Sequence, residues 1–282
     1  MLISRSLTWG QSDIGRVRVQ NHDQFLVADL NRSMTVHSSS LPVGDETQLY
    51  SGMIGRILVV ADGISGAPGA AVASQIGVGT VARYVLNVMP WFLSLNHDHD
   101  DDQEEELLAA LREVERAVEA QAEVDIEFAG MGTTLTMAYV VWPRLYVVSI
   151  GDSRCYLLRD GALEQLTQDQ TAAEELVEQG TLTRERATRS PLSKVLISSI
   201  GHGSSSFHPE VYRSELQSGD RILVCTDCLT STVTDDRIGQ ILEVGDTPEV
   251  VCQALIDEAN DAGGLDNITV AVAFCFLPIE RP

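Results

Sequence analysis

Short apolar segments bounded by Gly, Asp or Asn recur along the chain and predict β-strands. Most are rich in the β-branched and aromatic residues that strands favour. They cover residues 23–29, 56–61, 134–141, 145–150, 154–159, 221–226 and 267–276. Residues 145–150 and 154–159 are joined by Gly-Asp-Ser and read as a hairpin, and Asp160-Gly161 then predicts a second tight turn.

A helical periodicity of apolar positions predicts two long helices, over residues 69–93 and 104–123. Residues 172–179 and 248–262 are shorter candidates. The strands cluster instead of alternating with helices, so a doubly wound parallel sheet is not expected. We expect largely antiparallel sheets covered by helices. The sequence of residues 1–282 shows no linker rich in Pro, Gly or Ser, so we predict a single domain.

Composition narrows the classes of function. The 282 residues carry a formal charge of -22, which argues against a nucleic-acid partner, and their 44% apolar content suffices for a core. Neither a membrane-length apolar run nor a signal-peptide pattern is seen, so a cytoplasmic protein without membrane contact is expected. The acidic segment 96–106 is interpreted as a solvated loop and helix start rather than a metal site.

Three aspartates stand at the ends of strongly apolar segments. Asp62 follows ILVVA, Asp227 follows ILVCT, and Asp266 directly precedes NITVAVAF. Such positions can meet at one rim when neighbouring strands run antiparallel. Converging carboxylates raise one another's pKa unless a cation neutralises them, and oxygen ligands suit Mg²⁺ or Mn²⁺. Each aspartate alone is more commonly a turn residue, but three together indicate a site.

Asp227 lies inside a Cys-x-x-Cys sequence formed by Cys225 and Cys228. This spacing occurs in redox dithiols and in half of a zinc site. A thioredoxin-like βαβ unit and a second pair of zinc ligands are both missing from the sequence pattern. The five cysteines are an odd number within mostly apolar segments, which is typical of buried, reduced thiols. We expect the acid to carry the chemistry; a regulatory disulfide and a redox or zinc protein are the alternatives.

Six stretches of the sequence form a pattern of motifs. They are RVQNHD (18–23), VVADGISG (59–66), GTT (132–134), VSIGDSRCYLLRDGALEQLTQDQT (148–171), GDRILVCTDCLTSTVTDDRI (219–238) and GLDNITVAVA (264–273). Together they resemble the metal-dependent protein phosphatases of type 2C, in their compact bacterial form. They occur in the order and spacing of that family, and the resemblance spans roughly residues 12 to 276.

The resemblance implies an α+β fold in which two packed antiparallel β-sheets are flanked on both faces by helices, a four-layer α-β-β-α sandwich. It also implies hydrolysis of phosphoserine and phosphothreonine at a centre of two Mn²⁺ or Mg²⁺ ions, with a third ion bound loosely. By position, Asp62 would bridge both cations and the carbonyl of Gly63 would add a ligand. Asp227 and Asp266 would hold one metal, and Asp152 would join Asp227 at the third.

Two further roles follow from the same resemblance. Asp23 would orient the attacking water, and Arg18 would bind the phosphate of the substrate. His22 stands where relatives carry Glu or Gln beside the second metal, and imidazole suits Mn²⁺ better than Mg²⁺. His22 thus predicts an altered metal preference, a weakened second site, a degenerate binding module, or no effect if its side chain points away.

Residues 179–209 correspond to a flap beside the site in the family. The segment holds the densest basic cluster of the chain, which either docks an acidic phosphoprotein segment or is simply solvated: Arg184, Arg186, Arg189 and Lys194. The leading hypothesis is a monomeric protein serine/threonine phosphatase that acts on phosphorylated targets of a Ser/Thr kinase. The alternative is an inactive phosphatase-like module that binds phosphoprotein or a regulatory partner.

Overall fold

A computed structural model describes residues 7–35, 48–64, 66–67, 69–87, 100–201 and 206–276. Its strands run antiparallel to each of their neighbours. They are β1 Thr8–Asp13, β2 Asp23–Thr35, β3 Gln48–Asp62, β4 Gly132–Thr133, β5 Leu135–Val141, β6 Arg144–Ile150, β7 Arg154–Arg159, β8 Ala162–Gln165, β9 Ile200–Gly201, β10 Glu210–Glu215, β11 Arg221–Cys225 and β12 Ile268–Phe274.

The strands form two five-stranded sheets and a small two-stranded one. The first sheet has the order β1-β12-β11-β7-β8, the second has the order β10-β6-β5-β3-β2, and β4 pairs with β9. The helices are α1 Ala70–Asn87, α2 Asp100–Val124, α3 Ala172–Glu178, α4 Arg184–Ala187, α5 Asp227–Thr232, α6 Asp235–Val244 and α7 Pro248–Asp261. Helices α1 and α2 contact the second sheet, whereas α5, α6 and α7 contact the first.

Three hydrophobic clusters separate the four layers. Along β3, Ile57 and Val59 point into the cluster under α1 and α2, whereas Leu58 and Val60 point into the cluster between the sheets. In β11, Leu223 faces the α7 side and Val224 faces the other sheet. Because both faces of these strands are buried, their sequences are continuously apolar rather than alternating. The four-layer sandwich implied by the family resemblance is therefore confirmed.

The hairpin predicted from residues 145–150 and 154–159 is wrong. Strand β6 pairs with β5 and β10 in the second sheet, whereas β7 pairs with β11 and β8 in the first. Gly151 has a φ of 107°, and a Cβ there would lie 2.6 Å from the Thr134 side chain. The Gly-Asp-Ser sequence is thus a corner through which the chain passes from one sheet to the other.

The Asp160-Gly161 turn is confirmed. It joins β7 to β8, and both of its residues have positive φ, as a tight hairpin turn requires. The predicted helices are also present, although α1 is described only as far as Asn87 and α2 begins earlier, at Asp100. Within the part of the chain that the structure describes, no helix is long and apolar enough to cross a membrane.

Candidate active site

The ends of several central strands surround one cavity of about 370 Å³. Its lining is mostly charged and comes from both large sheets, from the loop before β2 and from the flap. The lining residues are Arg18, Asp62, Ile64, Thr134, Asp152, Lys194, Leu196, Asp227 and Asp266. Of the site residues predicted from the sequence, four aspartates and Arg18 therefore meet in a single place.

Asp62 is the last residue of β3. It is held in place by Thr134, the residue directly before the neighbouring strand β5. The Thr134 N–H donates to the Asp62 carbonyl at 2.9 Å, and the Asp62 N–H donates to Thr134 Oγ1 at 3.2 Å. The chain then turns at Gly63, where a Cβ would lie 2.3 Å from the carbonyl oxygen of Ala70. Only glycine fits this turn, so helix α1 can begin directly beside the carboxylate.

Asp23 is buried at the base of the site and ties the two sheets together. Its Oδ2 accepts hydrogen bonds from Thr226 Oγ1 at 2.9 Å and Thr269 Oγ1 at 2.7 Å, both from the opposite sheet. Its Oδ1 is buried and has no hydrogen-bond partner. Burial raises the pKa of Asp23 to about 7, although the two threonine hydroxyls act in the other direction.

Asp227 is the first residue of helix α5, directly after β11. Acidic side chains are favoured at this end of a helix by the helix dipole. The neighbouring thiols are packing residues, as expected: Cys225 and Cys228 are both buried and free, and the Cys228 thiol donates to the Asp266 carbonyl at 3.5 Å. Burial raises the pKa of Cys225 to about 12 and that of Cys228 to about 11, which disfavours a reactive thiolate.

Asp266 lies just before β12 and pairs with Arg18. Two guanidinium nitrogens, Nε and Nη2, donate to Asp266 Oδ1 and Oδ2 at 2.8 and 2.6 Å. The loop that carries Arg18 is fixed by the buried Asn267, whose amide donates to the carbonyls of Ile14 and Gln20 and accepts from the His22 N–H. Asn267 is therefore the residue that sets the distance between the loop and the site.

Negative charge is crowded in this cavity. Burial, followed by the charges of Asp23 and Asp227, holds the pKa of Asp62 well above its ordinary value. Burial and the nearby Asp227 raise the pKa of Asp152 in the same way. A divalent cation bound to these oxygens would relieve the repulsion, and an all-oxygen donor set is the one that Mg²⁺ and Mn²⁺ prefer. The unpartnered Asp23 Oδ1 adds a buried acceptor, so the residues present fit such ions.

Two cationic side chains hold the carboxylates that a metal ion would use. Arg18 binds Asp266, and Lys194 Nζ lies 2.5 Å from Asp227 Oδ2. Among the described residues, no three Asp, Glu, His or Cys side chains converge closely enough to hold a metal ion in this arrangement. Metal binding at Asp227 and Asp266 therefore requires Arg18 and Lys194 to share or release these oxygens.

His22 is not brought to the cavity. The His22 side chain does not line the cavity. Its Nδ1 is buried without a hydrogen-bond partner, and its Nε2 lies 3.5 Å from Gln20 Oε1. The backbone of His22 has a clearer role, because its carbonyl accepts from the Gly63 N–H and from Ser74 Oγ. Gly63 itself does not line the cavity either, and forms a bridge with Thr133.

Sequence reasoning missed the residues that support the site. Thr226 and Thr269 lie inside otherwise apolar strand sequences, and buried hydroxyls at such positions are the signal that could have found them. Asn267 gives the same signal, since it is a buried amide beside a predicted ligand. From the sequence, Lys194 is only one member of the basic cluster in the flap. Neither its contact with Asp227 nor its place in the cavity follows from local sequence.

The basic cluster of the flap is largely neutralised within the protein. Arg184 pairs with Glu174 at 2.7 Å, Arg189 lies 3.8 Å from Glu185, and Lys194 binds Asp227. The solvated interpretation of the arginines is therefore favoured over docking of an acidic segment. The flap also contains two histidines. His202 lies outside the described residues, and the carbonyl of His208 accepts from the Gln170 side chain.

The comparisons agree with this geometry. The sequence model of a protein phosphatase 2C family matches residues 36–251. The serine/threonine protein phosphatase PstP of Mycobacterium tuberculosis is 38% identical over 236 residues, which are 81% of this chain and 42% of that protein. The chain thus spans about two fifths of the length of that relative. The serine/threonine phosphatase stp of Listeria monocytogenes is 30% identical over 76% of this chain and 82% of its own length.

Solved structures extend the likeness beyond residues 36–251, since those compared cover more than nine tenths of the chain. The crystal structure of the M. tuberculosis phosphatase PstP has a TM-score of 0.75 and 31% identity, and covers 96% of this chain and 98% of its own. A structure of the PstP catalytic domain in complex with two manganese ions has a TM-score of 0.72 at the same identity and coverage. The chain belongs to the protein phosphatase 2C family.

Proposed function

We propose that this chain is a metal-dependent serine/threonine protein phosphatase, which hydrolyses phosphoserine and phosphothreonine in proteins. The observation that carries the proposal is the meeting of four aspartates with Arg18 in one cavity. Membership of a family whose compared members are named serine/threonine phosphatases supports it. A module without chemistry has no need of several carboxylates that repel one another.

The carboxylates are assigned to metal binding. Asp62 would hold two divalent cations, Mn²⁺ or Mg²⁺. Asp227 and Asp266 would complete one of the sites, and Asp152 lines the same cavity. Gly63 is given no metal contact in this proposal, because it does not line the cavity. The cations would supply Lewis-acid activation of water and stabilisation of phosphoryl charge when bound. His22 is given no metal contact in this proposal, because its side chain does not line the cavity.

Arg18 and Asp23 are the residues assigned to substrate and water. The planar fork of Arg18, which here grips both oxygens of Asp266, also matches two oxygens of a phosphoryl group. Asp23 is held rigidly through Oδ2, and its Oδ1 is left to accept a hydrogen bond from the attacking water.

The partners proposed are phosphorylated proteins, the targets of a Ser/Thr kinase. We also propose a single domain over residues 1–282, since the two large sheets share one buried cluster between them, with residues 179–209 as a flap. A monomer is proposed, and the buried free thiols suit a reducing cytoplasm.

The test is hydrolysis of a phosphothreonine peptide as a function of Mn²⁺ and Mg²⁺ concentration. We expect saturable, metal-dependent turnover that Asp62→Asn lowers by about 100-fold or more, because this residue would hold both proposed cations. Asp236→Asn is the matched control, since Asp236 is exposed on helix α6 and lies outside the cavity. A folded wild type without turnover, but with phosphopeptide binding, would instead establish the inactive binding module.

A further inference from the structure

Lys194 is the only lysine of the chain, and every other residue counted as Lys or Arg is an arginine. This one lysine lines the carboxylate cavity, where its Nζ lies 2.5 Å from Asp227 Oδ2. The lysine ammonium is a compact point charge on a flexible stem, whereas arginine presents a wide planar fork. In a chain that uses arginine everywhere else, the compact cation stands beside the proposed metal ligands.

The backbone directly after Lys194 is fastened to residues 170–172, which in turn contact the loop that carries Asp152. Lys194 ends a 3-10 turn, Pro191–Lys194, and the carbonyl of the next residue, Val195, accepts from the Ala172 N–H at 2.8 Å. The Ile197 N–H donates to the Gln170 carbonyl at 3.0 Å. Gln170 in turn donates to and accepts from Gly151, directly before Asp152. These bonds hold the ammonium near both acids.

The ammonium also acts on both acids electrostatically. Asp152 is buried, and its carboxyl is destabilised by the negative charge of Asp227. The positive charge of Lys194 opposes that effect, and it interacts favourably with Asp227 and Asp152 alike. Lys194 therefore neutralises the side of the cavity that is lined by the Asp152–Asp227 pair, where a cation bound by both carboxylates would otherwise lie.

We propose that Lys194 is the resident cation of the Asp152–Asp227 pair and takes the place of a third divalent ion. The proposal rests on the metal-binding site of the proposed function. It assigns the remaining cations to Asp62, Asp266 and the other oxygen of Asp227. It also places the cation of this carboxylate pair on the flap, so that the position of the flap and the charge of the site are linked.

The test is the number of Mn²⁺ ions bound per chain, measured from the electron paramagnetic resonance signal of free Mn²⁺, which needs no turnover. Lys194→Met keeps the apolar stem and removes the charge, and we expect it to bind one Mn²⁺ more than the wild type. Arg186→Met, an exposed change in the same flap that lies outside the cavity, is expected to bind the same number as the wild type. An extra ion in both variants would overturn the proposal, since net charge would then explain it.

A second change locates the extra ion. Adding Asp152→Asn to Lys194→Met is expected to abolish the additional Mn²⁺ and leave the others, whereas its persistence would overturn the proposed position. Equal binding by the wild type and Lys194→Met would overturn this inference alone. Absence of saturable Mn²⁺ binding in the folded wild type would overturn the proposed metal site itself, and the inference with it.

Discussion

Asp23 and Asp62 are direct register partners, the first residue of β2 opposite the last residue of β3. Like charges placed opposite each other on antiparallel strands destabilise a sheet. The protein keeps this pair buried, and the energetic cost is reduced because Thr226 and Thr269 donate to one oxygen of Asp23. Stability and function therefore compete at the point where these two strands meet.

The threonine pair can be tested by Thr269→Val. This change keeps the shape of a buried side chain but removes a hydroxyl that donates to Asp23 at 2.7 Å and also contacts Ser12 Oγ at 2.7 Å. Leaving buried acceptors without a donor costs about 1–3 kcal/mol. We expect urea denaturation to show a loss of that size, whereas Thr181→Val, in an exposed turn, changes the free energy of unfolding by less than about 0.5 kcal/mol. Equal effects of the two changes would contradict the role of Thr269.

The raised pKa of Asp23 predicts a pH dependence of stability. Its folded pKa of about 7 lies above the ordinary value of 3.8, so the unfolded chain releases this proton first as pH rises. This group therefore stabilises the folded state below about pH 4, and that stabilisation is lost as pH rises through about 7. The free energy of unfolding lost in this way is on the order of 1–4 kcal/mol. The pKa values of Asp62 and Asp152 are shifted in the same direction.

Urea denaturation of the metal-free protein between pH 4.5 and 7.5 measures this effect. We expect the stability difference between the wild type and Asp23→Asn to fall as pH rises, because asparagine does not titrate. A difference that grows with pH would show that the carboxylate is stabilised in the folded state.

Saturating Mn²⁺ is expected to stabilise the wild type at pH 7.5. The free energy of unfolding should rise by about 2.7 kcal/mol when the free Mn²⁺ concentration is 100 times the dissociation constant.

Gly63 is predicted to be intolerant of any side chain. A Cβ at this position would lie 2.3 Å from the Ala70 carbonyl, so Gly63→Ala forces β3 and α1 apart. We expect a loss of about 1–3 kcal/mol of unfolding free energy in thermal or urea denaturation. Gly79→Ala is the control, because its Cβ meets only the far end of the Arg83 side chain, at 3.5 Å, and alanine favours a helix by up to about 1 kcal/mol. We therefore expect Gly63→Ala to lower the free energy of unfolding and Gly79→Ala to raise it. A Gly63→Ala variant as stable as the wild type would contradict the tight turn.

The thiols are expected to be unreactive in the folded protein. All five cysteines are free and buried, and burial raises the pKa of Cys225 and Cys228. Titration with a thiol-reactive dye should label them slowly in the native state and fully in urea. Rapid native labelling of Cys225 or Cys228, or their oxidation to a disulfide without loss of fold, would revive the redox interpretation.

The continuous apolar sequences predicted β5, β6, β7, β11 and β12 to within one or two residues at each end, since strands buried on both faces cannot be mistaken for surface segments. Strand β3 was predicted only over residues 56–61, although it begins at Gln48. The boundaries of α3 and α7 were also predicted closely. The missed elements were short or amphipathic: β1, β4, β8, β9, β10 and helices α4 to α6. Their residues are only partly apolar, and packing against longer elements rather than local preference decides their conformation.

Local pattern in the sequence determined the aspartates at the strand ends, and the order of the motifs determined the family. The four-layer arrangement followed from the resemblance to that family. The tertiary structure alone decided that the Gly-Asp-Ser corner changes sheets, that His22 lies outside the cavity, and that Lys194 and Arg18 hold Asp227 and Asp266. Lys194 and Asp227 are 33 residues apart, and Arg18 and Asp266 are 248 apart. Contacts over such separations arise from the packing of whole layers, which local sequence does not encode.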